Sequence, residues 1–158
     1  MSIPLLELRD VKKCFPVRKN IFVRHKYFVH AVEQISFRIF HGEIIGLVGE
    51  SGCGKTTIAK IAGLLEKPDH GNVFYKGKNI NLMRGKEVAS FRKQVQFVFQ
   101  DPYSALNPRK TVQSLISMGL RNFHLVKDKK QLIHQVTEIL FMVGLSPDYL
   151  HHYPHEFS

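Results

Sequence analysis

Gly49-Glu50-Ser51-Gly52-Cys53-Gly54-Lys55-Thr56 fits the pattern G-x-x-x-x-G-K-[ST], and the rest of the chain is read outward from it. In such a phosphate-cradling loop, Gly49, Gly52 and Gly54 let the backbone turn tightly. They bring successive N–H groups against phosphate oxygens, where a Cβ would intrude. Lys55 supplies a point charge for β- and γ-phosphates, and the Thr56 hydroxyl is placed to ligate Mg²⁺. The following helix turns its positive end toward the same anion. The flanks agree with this reading. Glu43-Ile44-Ile45-Gly46-Leu47-Val48 is a short apolar run suited to a buried strand, and Ile58, Ile61, Ala62 and Leu65 recur at the spacing of one helix face. Strand, loop and helix in this order imply a nucleoside triphosphate site, not a Gly-rich turn that happens to contain a lysine.

At 158 residues the chain has ordinary single-domain length, and 44% hydrophobic with 23% charged residues is a globular composition. No apolar run approaches a membrane span, and Glu7, Arg9 and Asp10 interrupt the N-terminus before a secretory apolar region forms. Two cysteines, Cys14 and Cys53, give no disulfide framework and fit a reduced, cytoplasmic compartment. The net charge of +10 admits nucleic acid or anionic lipid as a partner. No zinc-ligand pattern, aromatic-basic RNA motif or recognition helix accompanies the charge, so a solvated basic surface is the reading adopted.

Leu5–Arg9 reads as a first strand with Val11–Pro16 as its exit. Residues 17–30 are dense in Arg, Lys and His around Phe22, Tyr27 and Phe28, as a surface hairpin insertion or a partner-binding loop would be. Ala31–Ile39 shows the partial alternation of a half-buried strand. The loop helix should end near Glu66, ahead of Pro68 and Gly71. Asn72–Tyr75 reads as a strand closed by Gly77, residues 79–93 as holding one short helix, and Val95–Phe99 as a further strand ended by Asp101-Pro102. Two helical patterns follow. Val112, Leu115 and Ile116 share one face, and Leu132, Ile133, Val136, Ile139, Leu140 and Val143 form a second stripe. Asp128 with Gln131 resembles a capping box, and Gly144 suits the C-terminal cap.

Ala31–Phe40, the loop Gly49–Thr57 and Phe99-Gln100-Asp101-Pro102-Tyr103-Ser104-Ala105-Leu106-Asn107-Pro108 together resemble the N-terminal part of an ABC-transporter ATPase subunit, most closely the oligopeptide and dipeptide importer type. The resemblance runs from about Leu5 to the last residue. It implies an α/β fold of the ABC-type P-loop NTPases, with an incomplete core. Residues 1–100 would form the β subdomain and P-loop core, and residues 101–158 the Q-loop and part of the helical subdomain. It implies ATP and Mg²⁺ as cofactors. Phe15 would stack on adenine, and Gly49, Glu50, Ser51, Gly52, Cys53, Gly54, Lys55, Thr56 and Thr57 would hold phosphates and metal. Gln100 would reach Mg²⁺ or the attacking water, so Thr56 and Gln100 are the expected metal-side residues. Tyr103–Arg109 would lie near the surface where a membrane permease subunit docks. Permease subunits and a second ATP-binding subunit are the expected partners, and the cytoplasmic face of the cell membrane the expected location.

Two alternative assignments fall away on the residues. Phe97–Asp101 mimics a strand ending in a Mg²⁺-binding Asp, yet Gln100 before it and Pro102 after it favour a turn at Asp101. His151, His152, His155 and Glu156 mimic a metal cluster, but Tyr153-Pro154 divides them and the family has this stretch as the approach to its signature. Ser158 would be the first residue of that Ser-Gly-Gly-Gln signature. Its remainder, the strand ending in Asp-Glu and the switch histidine find no counterpart in residues 57–158, so no catalytic residue is assigned. The expectation is weak Mg·ATP binding with negligible hydrolysis by the chain as given. A nucleotide-binding remnant acting only as a binding module is the alternative function. A small-molecule kinase or DNA-linked ATPase lacks the lid, acceptor-site or recognition residues it would need.

Overall fold

A computed structural model describes residues 3–17 and 27–157. Phe22 and the other residues of 18–26, together with Ser158, lie outside the described residues. The chain divides into two compact units, Met1–Gln96 and Phe97–Ser158.

In the first unit, β1 (Leu6–Val17), β2 (Tyr27–Ile39), β3 (His70–Tyr75) and β4 (Lys78–Asn79) form an antiparallel sheet in the order β2-β1-β3-β4. β1 is longer than its sequence pattern suggested, because Val11–Pro16 continues the strand. The reason is a bulge. Asp10 adopts a left-handed φ of +48° where the register shifts between Leu8 and Val11, and the extra residue returns Val11 to the core face. Ser36 stabilises the bulge, accepting from the Asp10 N–H and donating to its carboxylate. β1 and β2 pair out to Val17 and Tyr27; the hairpin insertion or partner-binding loop expected from the basic stretch falls largely on residues 18–26, outside the described residues.

Leu8, Val11, Val32, Val73, Ile80, Met83 and Phe91 form one core with Ile58 and Ile61 of α1 (Lys55–Ala62). Ile58 and Ile61 thus hold the helix against the sheet, as the i, i+3 spacing predicted. Leu65 does not join them. It is exposed because α1 ends four residues early, in a C-cap where Leu64 takes φ +56°. The Leu65 N–H then reaches the Lys60 carbonyl and the Leu64 N–H reaches that of Ile61, closing a Schellman motif. The short helix expected within 79–93 is α2 (Lys86–Gln94), and Gly77 closes β3 with φ +78°.

Two predicted strands are absent as ladders. Residues 43–48 and 95–99 carry no strand pairing among the described residues. Ile44 is 100% and Val48 96% exposed, and Val98 90%. An apolar run marks what a segment can bury; a strand also needs a neighbour to receive its backbone bonds.

The second unit is helical: α3 (Pro102–Ala105), α4 (Val112–Asn122) and α5 (Lys129–Met142). Asp101 caps α3, accepting from the N–H groups of Tyr103 and Ser104, so the expected turn residue is a helix N-cap. Thr111 caps α4 and Asp128 caps α5, the latter at 2.8 Å from the Gln131 N–H. Gln131 reaches back to the Lys127 N–H, one residue before the cap, in a shifted form of the predicted box. Gly144, at φ +76°, ends α5 as expected. Leu120, Leu132 and Val136 form the core here. From the predicted α5 stripe, Ile133 and Val143 are exposed.

Candidate functional site

Gly54 is the N-cap of α1 with φ +92°, and a Cβ there would stand 2.0 Å from the Ala31 carbonyl oxygen of β2. Glycine is therefore required twice over, for its φ and for the close approach of loop to strand. Having no side chain, Gly54 also offers no capping oxygen. The first-turn N–H groups of Lys55, Thr56 and Thr57 have no acceptor within the helix, and no acidic residue occupies the first turn. The helix end thus faces an exposed loop with its donors available to an anion.

The Lys55 ammonium sits inside the loop's curl. Its Nζ donates to the carbonyls of Gly49 at 2.7 Å and Glu50 at 2.6 Å, and lies 3.4 Å from Cys53 Sγ. No carboxylate pairs with it among the described residues. Glu50, Ser51, Gly52 and Cys53 are exposed; Thr56 is exposed and Thr57 half-buried. One unpaired ammonium, a set of aligned N–H groups and two hydroxyls form a donor set that suits a polyphosphate. The Thr56 hydroxyl is the kind of hard oxygen that Mg²⁺ accepts.

Phe15 lies on β1 opposite Val29 of β2 and is 38% exposed, which leaves part of its ring open to a planar ligand. The Lys13 ammonium stands 5.2 Å from the ring centroid. Sequence reading missed Lys13. The side chain is buried, donates to the Lys67 carbonyl at 2.8 Å, and pairs with Glu66 at 2.9 Å and Asp69 at 3.2 Å. Burial pulls its pKa down, but the hydrogen bonds to Glu66 and Asp69 outweigh that and raise it. Asp69 is held below the usual carboxylate range, first by the Cys14 N–H and then by Lys13. Only the apolar positions of β1 stood out in the sequence; a lysine at a core-facing register position after the bulge was the available signal.

Gln100 belongs to the second unit, at an exposed bend just before α3. Phe15 and the loop are therefore together in one unit, and Gln100 is in the other. Tyr103–Arg109 is exposed. Beside it lies an apolar cleft of about 380 Å³, lined by Tyr103, Leu106, Leu115, Ile116, Leu145 and Phe157 among others. The Tyr103 hydroxyl donates to the Phe157 carbonyl at 3.0 Å. In the histidine-rich stretch, His152 Nδ1 lies 3.1 Å from the Asp148 carbonyl, and Glu156 accepts from the Tyr153 N–H. Among the described residues no group of three or more His, Cys, Asp or Glu side chains converges on a cation position.

Comparison with known proteins bears on the whole chain. The ABC transporter family model matches residues 32–158. The oligopeptide transport ATP-binding protein AppF of Bacillus subtilis is 46% identical over 98% of this chain and 47% of its own length. The oligopeptide transport ATP-binding protein OppF of Escherichia coli is 38% identical over the same shares. The chain spans about half the length of these curated relatives. Among solved structures, the ATP-binding cassette MJ0796, captured as a dimer in a post-hydrolysis state with ADP and Pi, has a TM-score of 0.78 at 24% identity. That match covers 97% of this chain and 63% of that one, and it concerns the fold.

Proposed function

The chain belongs to the ABC transporter family, and from that premise we propose that it binds Mg·ATP as part of the ATP-binding subunit of an oligopeptide or dipeptide importer. The observation that carries this reading is the loop itself. An unpaired Lys55 ammonium is held within Gly49–Cys53, at the open N-terminus of a helix pinned to the sheet by Gly54. The names of the relatives AppF and OppF support peptide transport as the process served.

In this reading Lys55 turns from the loop carbonyls to the β- and γ-phosphates, and the first-turn N–H groups bind their oxygens. Thr56 and Thr57 add hydroxyl contacts, with Thr56 on the metal side. Mg²⁺, when bound, neutralises charge on the β- and γ-oxygens. Phe15 stacks on adenine, and Gln100 contributes an amide oxygen on the γ-phosphate side. Residues 1–100 act as the β subdomain and P-loop core, and residues 101–158 as the Q-loop and helical part. The exposed Tyr103–Arg109 stretch takes a permease subunit, and a second ATP-binding subunit completes the assembly on the cytoplasmic face of the membrane. No helix among the described residues is long and apolar enough to cross a membrane, which fits a peripheral subunit.

Titration of the chain with a fluorescent ATP analogue and Mg²⁺ tests the site. Lys55→Ala should weaken binding about tenfold or more, the scale of charge-assisted bonds to phosphate. Equal affinity of the variant and the parent chain would remove the loop from the nucleotide site.

A further inference from the structure

The segment that follows α1 is bonded to the strand that carries Phe15. Asp69 makes three contacts with three consecutive residues of β1. Its N–H donates to the Lys12 carbonyl at 2.9 Å, and its Oδ1 accepts from Lys13 Nζ at 3.2 Å. Its Oδ2 accepts from the Cys14 N–H at 2.7 Å. Lys13 adds Glu66 and the Lys67 carbonyl to the same knot. At its other end this segment is tied to α1, because the N–H groups of Leu65 and Glu66 both donate to the Lys60 carbonyl. A bonded path therefore runs from the phosphate loop, along α1, through residues 64–69, to the residue before Phe15.

The path meets β1 at one of its register shifts. The β1–β2 register shifts between Lys13 and Cys14, so the regular ladder that pairs Phe15 with Val29 is offset from the ladder of the rest of the sheet. Asp69 bonds residues on both sides of that shift, and the Lys13 ammonium faces the Phe15 ring.

We propose that Asp69 and Lys13 are positioning residues for base recognition, a brace that fixes the Phe15 ring at a set distance from the phosphate loop. The inference rests on the reading of Phe15 as the adenine-stacking residue. Its consequence is selective: the brace should matter for a ligand with a base and not for a bare polyphosphate.

The test compares Mg·ATP with Mg·tripolyphosphate on the 158-residue chain by calorimetry, with thermal melts recorded for each variant. Phe15→Ala should lower ATP affinity about tenfold, the scale of one base–aromatic stack, and leave tripolyphosphate unchanged. Asp69→Asn and Lys13→Met should lower the ATP preference by a similar factor, and Lys13→Arg should restore it. Combining Asp69→Asn with Phe15→Ala should add little beyond Phe15→Ala alone, because both remove one contact. If Asp69→Asn or Lys13→Met weakens both ligands equally, these residues serve only folding and the brace is refuted. If Phe15→Ala lowers the ATP preference while neither brace variant does, the brace fails and the stacking reading stands. If Phe15→Ala leaves the preference unchanged, both fall.

Discussion

Asn72–Tyr75 and Glu43–Val48 are both short apolar runs that read as strands, and they end differently. Val73 is fully buried between β1 and the helices, and its strand pairs with β1 and β4. Val48 is 96% exposed and its segment joins no ladder among the described residues. Glu43–Val48 is the more aliphatic of the two, so apolar character is not what makes Asn72–Tyr75 the one that pairs. An extended backbone satisfies its N–H and C=O groups only through another segment, so a strand is a property of a pair. The helices of the second unit need no such partner. Their bonds are internal, and their ends are closed by Asp128, Thr111 and Gly144.

The largest way to break this contrast is to charge the buried member. Val73→Asp places an unpaired carboxylate in the core formed with Leu8, Ile58 and Phe91, and should cost about 3–5 kcal/mol. Thermal or urea denaturation followed by circular dichroism should show the first unit's transition lost or shifted strongly downward. A near-normal melt would mean that Val73 is not enclosed.

The sheet that Asn72–Tyr75 joins is also held by charge. Glu7 of β1 is buried between Arg9 and Arg38, each at 2.7 Å, and Arg38 is its cross-strand partner on β2. Hydrogen bonds first from Arg9 and then from Arg38 bring its carboxyl from 4.5 down to about 2. A folded-state pKa below the unfolded one gives stability that is complete above the unfolded value. It is lost as pH falls toward the folded one. Stability should therefore decline from about pH 4.5 to about pH 2. Glu7→Gln should flatten that decline and lower stability at neutral pH; an unchanged acid profile would show that the ladder does not depend on this pair.

What was legible in the sequence follows the same division. Features with local causes were readable: the Gly54-Lys55 turn into a helix, the Asp128 and Gly144 caps, and the Ile58 and Ile61 face. Features that depend on distant neighbours were not. The bulge at Asp10 that lengthens β1 needs Ser36, and the Lys13 knot needs residues more than fifty positions away. Glu43–Val48 and Val95–Phe99 were misread for the same reason, since periodicity carries no record of whether a neighbour is there. The loop residues of the candidate site were readable because their motif is contiguous. Gln100 and Phe15 could be proposed only through the family resemblance.

A smaller effect sharpens the local side of the contrast. Asp128→Ala removes the oxygen that accepts from the Gln131 N–H and should cost about 1 kcal/mol. Urea denaturation of the second unit's helical signal would register it as a lower midpoint at unchanged slope. No shift would mean that water replaces the cap without loss.

The smallest expected effect bears most directly on the comparison. Val48→Asp makes the same chemical change as Val73→Asp, on a side chain that already faces solvent. Stability should stay within about 0.5 kcal/mol of the parent chain, because no buried contact is lost and the carboxylate is hydrated. Aggregation should fall, since Ile44, Val48 and Val98 leave apolar surface and unpaired backbone open to another chain. Light scattering beside the melt separates the two readouts. If Val48→Asp destabilised the chain as Val73→Asp does, residues 43–48 would have a burying neighbour in solution, and the distinction between the two runs would collapse. If only aggregation changed, the run would be a strand sequence lacking its ladder, and pairing rather than composition would be what makes Asn72–Tyr75 a strand.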